Sequence, residues 1–250
     1  MRPTVATIGT THPLGVAGLG LCVRVAGRLK VRPVYVIAGV TAQDARGVTL
    51  RTPLDAATIA AQFAALAAAD VRAIHIGALL DANSVAAVAD GLAHLPDVAI
   101  VYDPVLAAST GEDLADEQTL AAIRTRLLGR CALLTPNLAE AARFLDRPLG
   151  PEAAADAAAL RLLGPSGVLL KGGHRVGRPR DVLATESGTT EFSARRIRGE
   201  LRGTGDLLAF AIAAHLARGR TLRAAIEAAR RFVRVEIERA VDFAGMRVAR

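Results

Sequence analysis

Short apolar runs alternate along the chain with longer stretches in which apolar residues recur every three or four positions. Val5-Ala6-Thr7-Ile8, Val34-Tyr35-Val36-Ile37-Ala38, Ala73-Ile74-His75-Ile76-Gly77, Val98-Ala99-Ile100-Val101-Tyr102, Ala132-Leu133-Leu134-Thr135 and Gly167-Val168-Leu169-Leu170-Lys171 read as strands. Helical spacing covers 15–29, 55–69, 81–95, 114–128, 152–163 and 222–241. Two more helices follow Pro136-Asn137 and Gly205, and segments 181–185 and 191–197 read as a hairpin around Ser187-Gly188. A loop is expected at Thr41-Ala42-Gln43-Asp44, after the second strand.

Strands alternating with helices predict an α/β fold, with a mainly parallel central sheet covered by helices on both faces. No linker-like segment, repeat or low-complexity block divides the chain, so residues 1–250 are expected to form one domain. Ligands of such sheets sit at the carboxyl ends of the strands. His12, Gln43, Asp103, Asn137 and Lys171 all fall there.

Composition removes several classes. With 52% hydrophobic residues the chain is not a disordered one. No apolar run approaches the roughly 18 residues of a membrane span. Segment 14–25 imitates a signal sequence, but a strand-like run and His12-Pro13 precede it and no small-residue cleavage site follows. A cytoplasmic protein without membrane contact is the expectation. Cys22 and Cys131 lack disulfide or metal-ligand spacing and read as buried thiols. The net charge of +7 comes almost wholly from scattered arginines, Lys30 and Lys171 being the only lysines, and aromatic residues are 3%. Scattered arginines with few aromatic stacking platforms suit anionic small molecules better than nucleic acid.

The candidate chemistry centres on Arg202-Gly203-Thr204-Gly205-Asp206-Leu207-Leu208, a glycine-rich start to an apolar helix. The first amides of a helix lack intrahelical partners and attract anions such as a phosphoryl group. Two roles fit Asp206: complement to the helix dipole, or acceptor of a proton from an attacking hydroxyl. Gly15, Gly18 and Gly20 have G-x-x-G-x-G spacing, which is not the dinucleotide fingerprint. Asn137 and Glu140 have the spacing of a capping box, and Asp103-Pro104 that of a strand end.

Five segments together resemble the ribokinase-like superfamily, in its vitamin-kinase branch. They are Thr41-Ala42-Gln43-Asp44-Ala45-Arg46-Gly47-Val48, Tyr102-Asp103-Pro104-Val105-Leu106, Thr135-Pro136-Asn137-Leu138-Ala139-Glu140, Leu170-Lys171-Gly172-Gly173-His174 and Gly203-Thr204-Gly205-Asp206. They stand in the family's order, over about residues 4–240. That branch holds hydroxymethylpyrimidine/phosphomethylpyrimidine kinases and pyridoxal kinases. The resemblance implies an ATP- and Mg2+-dependent kinase, a homodimer, acting on a small heteroaromatic alcohol or its monophosphate.

It also implies residue roles. Asp206 is the base, with Gly203, Thr204 and Gly205 around the transferred phosphoryl group. Gln43 meets the ring, with His12 and Gly15 beside the acceptor. Lys171, Asn137, Gly173 and Thr204 serve ATP, Glu140 and Asp103 serve magnesium, and His174 helps shape its loop. Two departures bear on the substrate. The pyrimidine kinases usually carry an Asp-Pro-Ser-Gly-Gly-Ala-Gly-like run where this chain has His12-Pro13-Leu14-Gly15-Val16-Ala17-Gly18. They usually carry Gly-Thr-Gly-Cys where it has Gly203-Thr204-Gly205-Asp206, a form more like pyridoxal kinases. Hydroxymethylpyrimidine or its monophosphate is the leading acceptor and pyridoxal the alternative. A non-catalytic pyrimidine-binding protein is the reading from another class.

Overall fold

The computed structural model describes residues 1–95, 97–172, 180–194, 197 and 201–250. Gly173 and His174 lie outside the described residues.

Nine strands form one sheet: β1 (Thr4–Thr11), β2 (Arg32–Gln43), β3 (Val48–Pro53), β4 (Val71–Ile76), β5 (Ile100–Tyr102), β6 (Leu133–Leu134), β7 (Val168–Leu170), β8 (Arg180–Thr185) and β9 (Gly188–Ser193). Their spatial order is β3-β2-β1-β4-β5-β6-β7-β8-β9. The six strands from β2 to β7 in that order are parallel, and β3, β8 and β9 are antiparallel to their neighbours. The expected mainly parallel sheet is therefore present.

Side chains alternate across a strand, and here the alternation separates two cores. Ala6, Ile8, Ile74, Ile76, Tyr102, Leu134, Val168 and Leu170 face one way. They pack against α2 (Ala56–Ala65), α3 (Ala82–Gly91), α4 (Glu117–Arg126), α5 (Leu138–Leu145) and α6 (Ala153–Arg161). Val5, Ala73, Val101, Leu133, Leu169 and Leu183 face the other way, against α1 (Gly18–Ala26), α7 (Thr204–Ala217) and α8 (Leu222–Glu238). Residues 206–215 of α7 are buried all round, because the helix is covered by the sheet on one side and α8 on the other. Among the described residues no helix is long and apolar enough to cross a membrane.

Polar N-caps start the helices where the spacing predicted them, at Asp55, Asp81, Asn137 and Thr221. Each such cap contributes about 1 kcal/mol. Several boundaries differ from the sequence expectation. Helix α1 begins at Gly18 rather than Gly15, because Gly15 and Gly18 both adopt left-handed backbone with φ of 59° and 55°. Helix α4 begins at Glu117, where Asp116 caps it, and α3 gives way to a 3-10 turn at Leu92–His94. The expected loop at Thr41-Ala42-Gln43 is strand. β2 runs on to Gln43 because β3, which the sequence reading did not identify, pairs with it from Gly39↔Pro53 to Gln43↔Val48. The second strand of the late hairpin runs from Gly188 to Ser193, earlier than the expected 191–197. After α8 the chain forms a small hairpin, β10 (Val241–Phe243) with β11 (Met246–Val248), where helix was expected to reach 241.

Candidate active site

The glycine-rich segment after residue 202 lies where the sheet's carboxyl edge meets the start of α7. Gly203 is the N-cap in left-handed conformation, with no side-chain cap, so the first amides of α7 remain open to a ligand. Asp206, 9% exposed, turns its carboxylate back over the loop that follows β1. The Gly18 amide donates to Asp206 Oδ2 at 3.0 Å. A Cβ on Gly77, at the end of β4, would sit 3.4 Å from Asp206 Oδ1. Burial pushes the Asp206 carboxyl up to about 6, and the Asp103 charge adds to it, against the pull of the Gly18 amide and Lys171. A carboxylate titrating near 6 is ionised at neutral pH yet basic enough to take a proton.

Asp103 ends β5. Its Oδ1 accepts from Lys171 Nζ at 2.6 Å and from Thr135 Oγ1 at 3.0 Å. Its Oδ2 is buried and finds no partner among the described residues. A Cβ on Gly205 would stand 2.6 Å from that Oδ2 and 3.4 Å from Lys171 Nζ. The helix start therefore needs glycine there, and its backbone runs directly over the ion pair. Burial alone would lower the Lys171 pKa, but the Asp103 and Glu140 carboxylates outweigh it and the net shift is upward. Lys171 stays charged.

Asn137 and Glu140 form the capping box the spacing predicted. The Asn137 amide donates to Glu140 Oε2 at 2.6 Å, and the Glu140 amide donates to Asn137 Oδ1 at 2.9 Å. This bonding does not exhaust Glu140. Burial pushes its carboxyl up to about 7, with Lys171 opposing and Asp103 adding to the rise. Asp103, Glu140 and Asp206 thus influence one another around a single lysine, a site short of positive charge. Among the described residues no group of three or more His, Cys, Asp or Glu side chains is gathered to cage a metal.

The acceptor side lies around β1 and β2. His12 follows β1 and is buried. The Ala17 amide donates to its Nε2 at 3.2 Å, while Nδ1 has no partner among the described residues. Burial and the Arg202 charge lower its pKa, so the ring is neutral. Gly15 donates to the His12 carbonyl at 3.1 Å, and its own carbonyl accepts from Arg24 Nη1 at 3.2 Å. Thr11 pairs with Val40, so Gln43 overhangs the end of β1 by three residues, about 10 Å. It is half-buried, and its side chain finds no hydrogen-bond partner among the described residues.

The structure thus brings Asp103, Lys171, Gly205, Asp206 and Glu140 into one neighbourhood, with His12 and Gly15 on the loop that grips Asp206. Gln43 stands further out on the β2–β3 hairpin. Sequence reasoning missed Gly18, whose amide holds Asp206, and Thr135, which holds Asp103. Gly18 had been visible as part of the glycine spacing set aside as a failed dinucleotide motif. Thr135 directly precedes Pro136-Asn137 at the same strand end. Beneath the site, His75 Nδ1 lies 2.8 Å from Thr7 Oγ1, and burial pushes the ring down to about 4. Cys22 and Cys131 are buried free thiols, as expected. Chemically, an anion cradle, a buried basic carboxylate and a lysine–carboxylate pair suit phosphoryl transfer to a hydroxyl.

Comparison with known proteins bears on this reading. The model of the phosphomethylpyrimidine kinase family matches residues 13–248. The chain is 37% identical over 248 residues to the hydroxymethylpyrimidine/phosphomethylpyrimidine kinase of Rhizobium meliloti (strain 1021), covering 96% of this chain and 92% of that protein. It is 32% identical over 219 residues to the enzyme of the same name from Escherichia coli (strain K12), covering 85% and 82%. Among solved structures, phosphomethylpyrimidine kinase from Clostridium difficile 630 superposes with a TM-score of 0.83 at 23% identity, covering 94% of this chain and 99% of that one. An ADP complex of Bacillus subtilis pyridoxal kinase superposes with a TM-score of 0.90 at 22% identity, covering 100% and 97%. At those identities the two structures speak for the fold alone. The match to the family model over nearly the whole length, with relatives above 30% identity, places the chain in the phosphomethylpyrimidine kinase family of ribokinase-like vitamin kinases.

Proposed function

We propose that the chain transfers the γ-phosphoryl group of ATP to hydroxymethylpyrimidine and to its monophosphate. The observation that carries this reading is the Asp206 carboxylate, buried at an uncapped glycine-rich helix start and close enough to the Lys171–Asp103 pair to feel both charges. In the first transfer Asp206 takes the hydroxyl proton as the acceptor oxygen bonds to the γ-phosphorus. The bond from that phosphorus to the β–γ bridging oxygen breaks, and ADP leaves. The amides at Gly203, Thr204 and Gly205 stabilise the charge on the phosphoryl oxygens, and Lys171, Asn137 and Gly173 hold the nucleotide phosphates. Gln43 supplies a donor and an acceptor to the pyrimidine ring, with His12 and Gly15 beside it.

The residues also fit magnesium. Asp103 has a buried carboxylate oxygen without a partner among the described residues, and Glu140 is a second carboxylate, raised by burial and by the Asp103 charge. One or two carboxylates, with phosphates and water completing the shell, is the usual protein contribution to Mg2+. Bound there, the ion would neutralise charge developing on the β- and γ-phosphates. The reading includes one kinase domain over residues 1–250, a homodimer and a cytoplasmic location.

The test is ATP consumption over a panel of hydroxymethylpyrimidine, its monophosphate and pyridoxal. Turnover with pyridoxal alone moves the substrate to the vitamin B6 branch. Ring binding without ATP consumption makes the chain a pyrimidine-binding protein. Sedimentation of the purified chain tests the dimer.

A further inference from the structure

His12 and Asp206 hold consecutive amides of one loop. The Ala17 amide donates to His12 Nε2 at 3.2 Å, and the next amide, that of Gly18, donates to Asp206 Oδ2 at 3.0 Å. Little slack exists between the two bonds. Ala17 is extended, with φ −146° and ψ 179°. Gly18 is left-handed, and a Cβ there would stand 2.5 Å from the Thr10 carbonyl oxygen. On the far side Gly203 is packed so that its Cβ would meet the Val16 carbonyl at 2.8 Å and the Ala17 Cα at 3.2 Å. A shift of the Ala17 amide is therefore carried into the Gly18 amide.

The bond also dictates the form of the ring. An N–H aimed at Nε2 needs a lone pair there, so the neutral imidazole carries its proton on Nδ1. A protonated ring would present a donor to a donor and open the bond. Burial and the Arg202 charge both oppose that protonation.

We propose that His12 is a positioning residue for the base: by accepting the Ala17 amide it fixes the loop whose next amide aims the Asp206 carboxylate. This rests on the reading of Asp206 as the proton acceptor. It assigns the imidazole that replaces the usual acidic residue a task inside the loop, through Nε2, separate from any contact its Nδ1–H makes with an acceptor.

Two substitutions separate the nitrogens. The side-chain amide of Gln reaches the position of Nε2 and can again accept from Ala17. That of Asn reaches only the position of Nδ1. The measurement is kcat and acceptor KM for hydroxymethylpyrimidine against pH, in wild type, His12→Asn, His12→Gln and Asp206→Asn. Burial and Asp103 disfavour the ionised Asp206 carboxylate, whereas the Gly18 amide and Lys171 favour it; the Glu140 carboxyl and the Cys22 thiol lie close enough to interact, and both are left in place by the His12 variants. Loss of the Gly18 bond therefore moves the acid limb of kcat to higher pH. His12→Asn should lower kcat by about tenfold, in keeping with one hydrogen bond to a charged group. It should displace the acid limb upward and leave acceptor KM within about twofold. His12→Gln should recover most of the lost kcat and bring the limb back.

A rise in KM for His12→Gln but not for His12→Asn, with the limb unmoved, overturns the proposal in favour of direct acceptor contact through Nδ1. A lower melting temperature with kcat and limb unmoved leaves a purely structural histidine and overturns it too. If His12→Asn does not fold, His12→Gln decides, and an upward limb in that variant is an overturning result. Full turnover in Asp206→Asn removes the base itself, a failure of the earlier reading that the His12 variants do not mimic.

Discussion

Gly205 and Asp103 approach so closely that no side chain fits between them: a Cβ on Gly205 would lie 2.6 Å from Asp103 Oδ2. The same Cβ would lie 3.4 Å from the lysine that neutralises this carboxylate. Gly205→Ala must push the carboxylate aside or lift the start of α7. In an unconstrained helix this exchange stabilises by up to about 1 kcal/mol. The melting temperature is therefore expected to change little while turnover falls at least about tenfold, because the amides and Asp103 no longer share one geometry. Steady-state kinetics beside a thermal melt checks this. Wild-type turnover in Gly205→Ala would falsify the close approach as a functional constraint.

Glu140 joins two roles that one substitution separates. Glu140→Gln keeps an oxygen for the Asn137 amide, so the capping box survives. The folded-state pKa of Glu140 is raised to about 7 from a model-peptide value of 4.5. Its contribution to stability is thus fully present below about 4.5 and lost as pH rises through 7. Removing the ionisable group should flatten the decline in melting temperature between about pH 5 and 8. If the carboxylate serves magnesium, the metal concentration for half-maximal activity should rise several-fold. A lower melting temperature at every pH with an unchanged metal titration would assign Glu140 to the cap alone.

The parallel strands were legible because they are buried on both faces, which leaves uninterrupted apolar runs such as Leu133-Leu134 and Val168-Leu169-Leu170. β3 was not, for the converse reason. Its four central residues are exposed and the end residues half-buried, so it carries no core face to read. The hairpin at Val241–Val248 is similarly open, with Val241 and Phe243 exposed. Among site residues, the capping box of Asn137 and Glu140 is local and was visible in four residues. The Lys171–Asp103 pair spans 68 positions and the Gly18–Asp206 bond spans 188. No spacing rule reaches across such gaps. Motif order brought the right segments together, and only the folded sheet shows which atom meets which.

Among the described residues the Gln43 side chain has no hydrogen-bond partner to lose when it is replaced, which makes it a clean probe of the acceptor. Gln43→Ala should leave fold and ATP affinity unaltered, since its side chain finds no hydrogen-bond partner among the described residues. If the amide pairs with the pyrimidine ring, acceptor kcat/KM should fall by about 1–3 kcal/mol, roughly 5- to 150-fold, the cost of an unpaired buried polar group. Isothermal titration with the acceptor and with an ATP analogue separates the two sites. Equal losses for both ligands would remove Gln43 from the ring.

Asp206 carries the sharpest prediction, because the two acceptors ask different things of it. A hydroxymethyl group must lose a proton as it attacks, whereas a phosphate monoester has a second pKa near 6 and is already ionised at pH 8. Asp206→Asn keeps the size of the side chain and an oxygen for the Gly18 amide. With the alcohol, turnover should fall by about 10²–10⁴, the usual contribution of a general base. With the monophosphate the loss should be far smaller. In wild type the acid limb for the alcohol should fall near pH 6, where burial places the Asp206 carboxyl, and activity is lost below it. Stability moves the other way. A folded pKa near 6, raised from 3.8, means that the fold favours the protonated form, and this contribution disappears as pH rises through 6. The neutral amide of Asp206→Asn should therefore raise stability at pH 8 by on the order of 3 kcal/mol. Single-turnover transfer to each acceptor, with melts at pH 5 and pH 8, measures all three effects. Equal losses for alcohol and monophosphate would show that Asp206 orders the phosphoryl site and takes no proton.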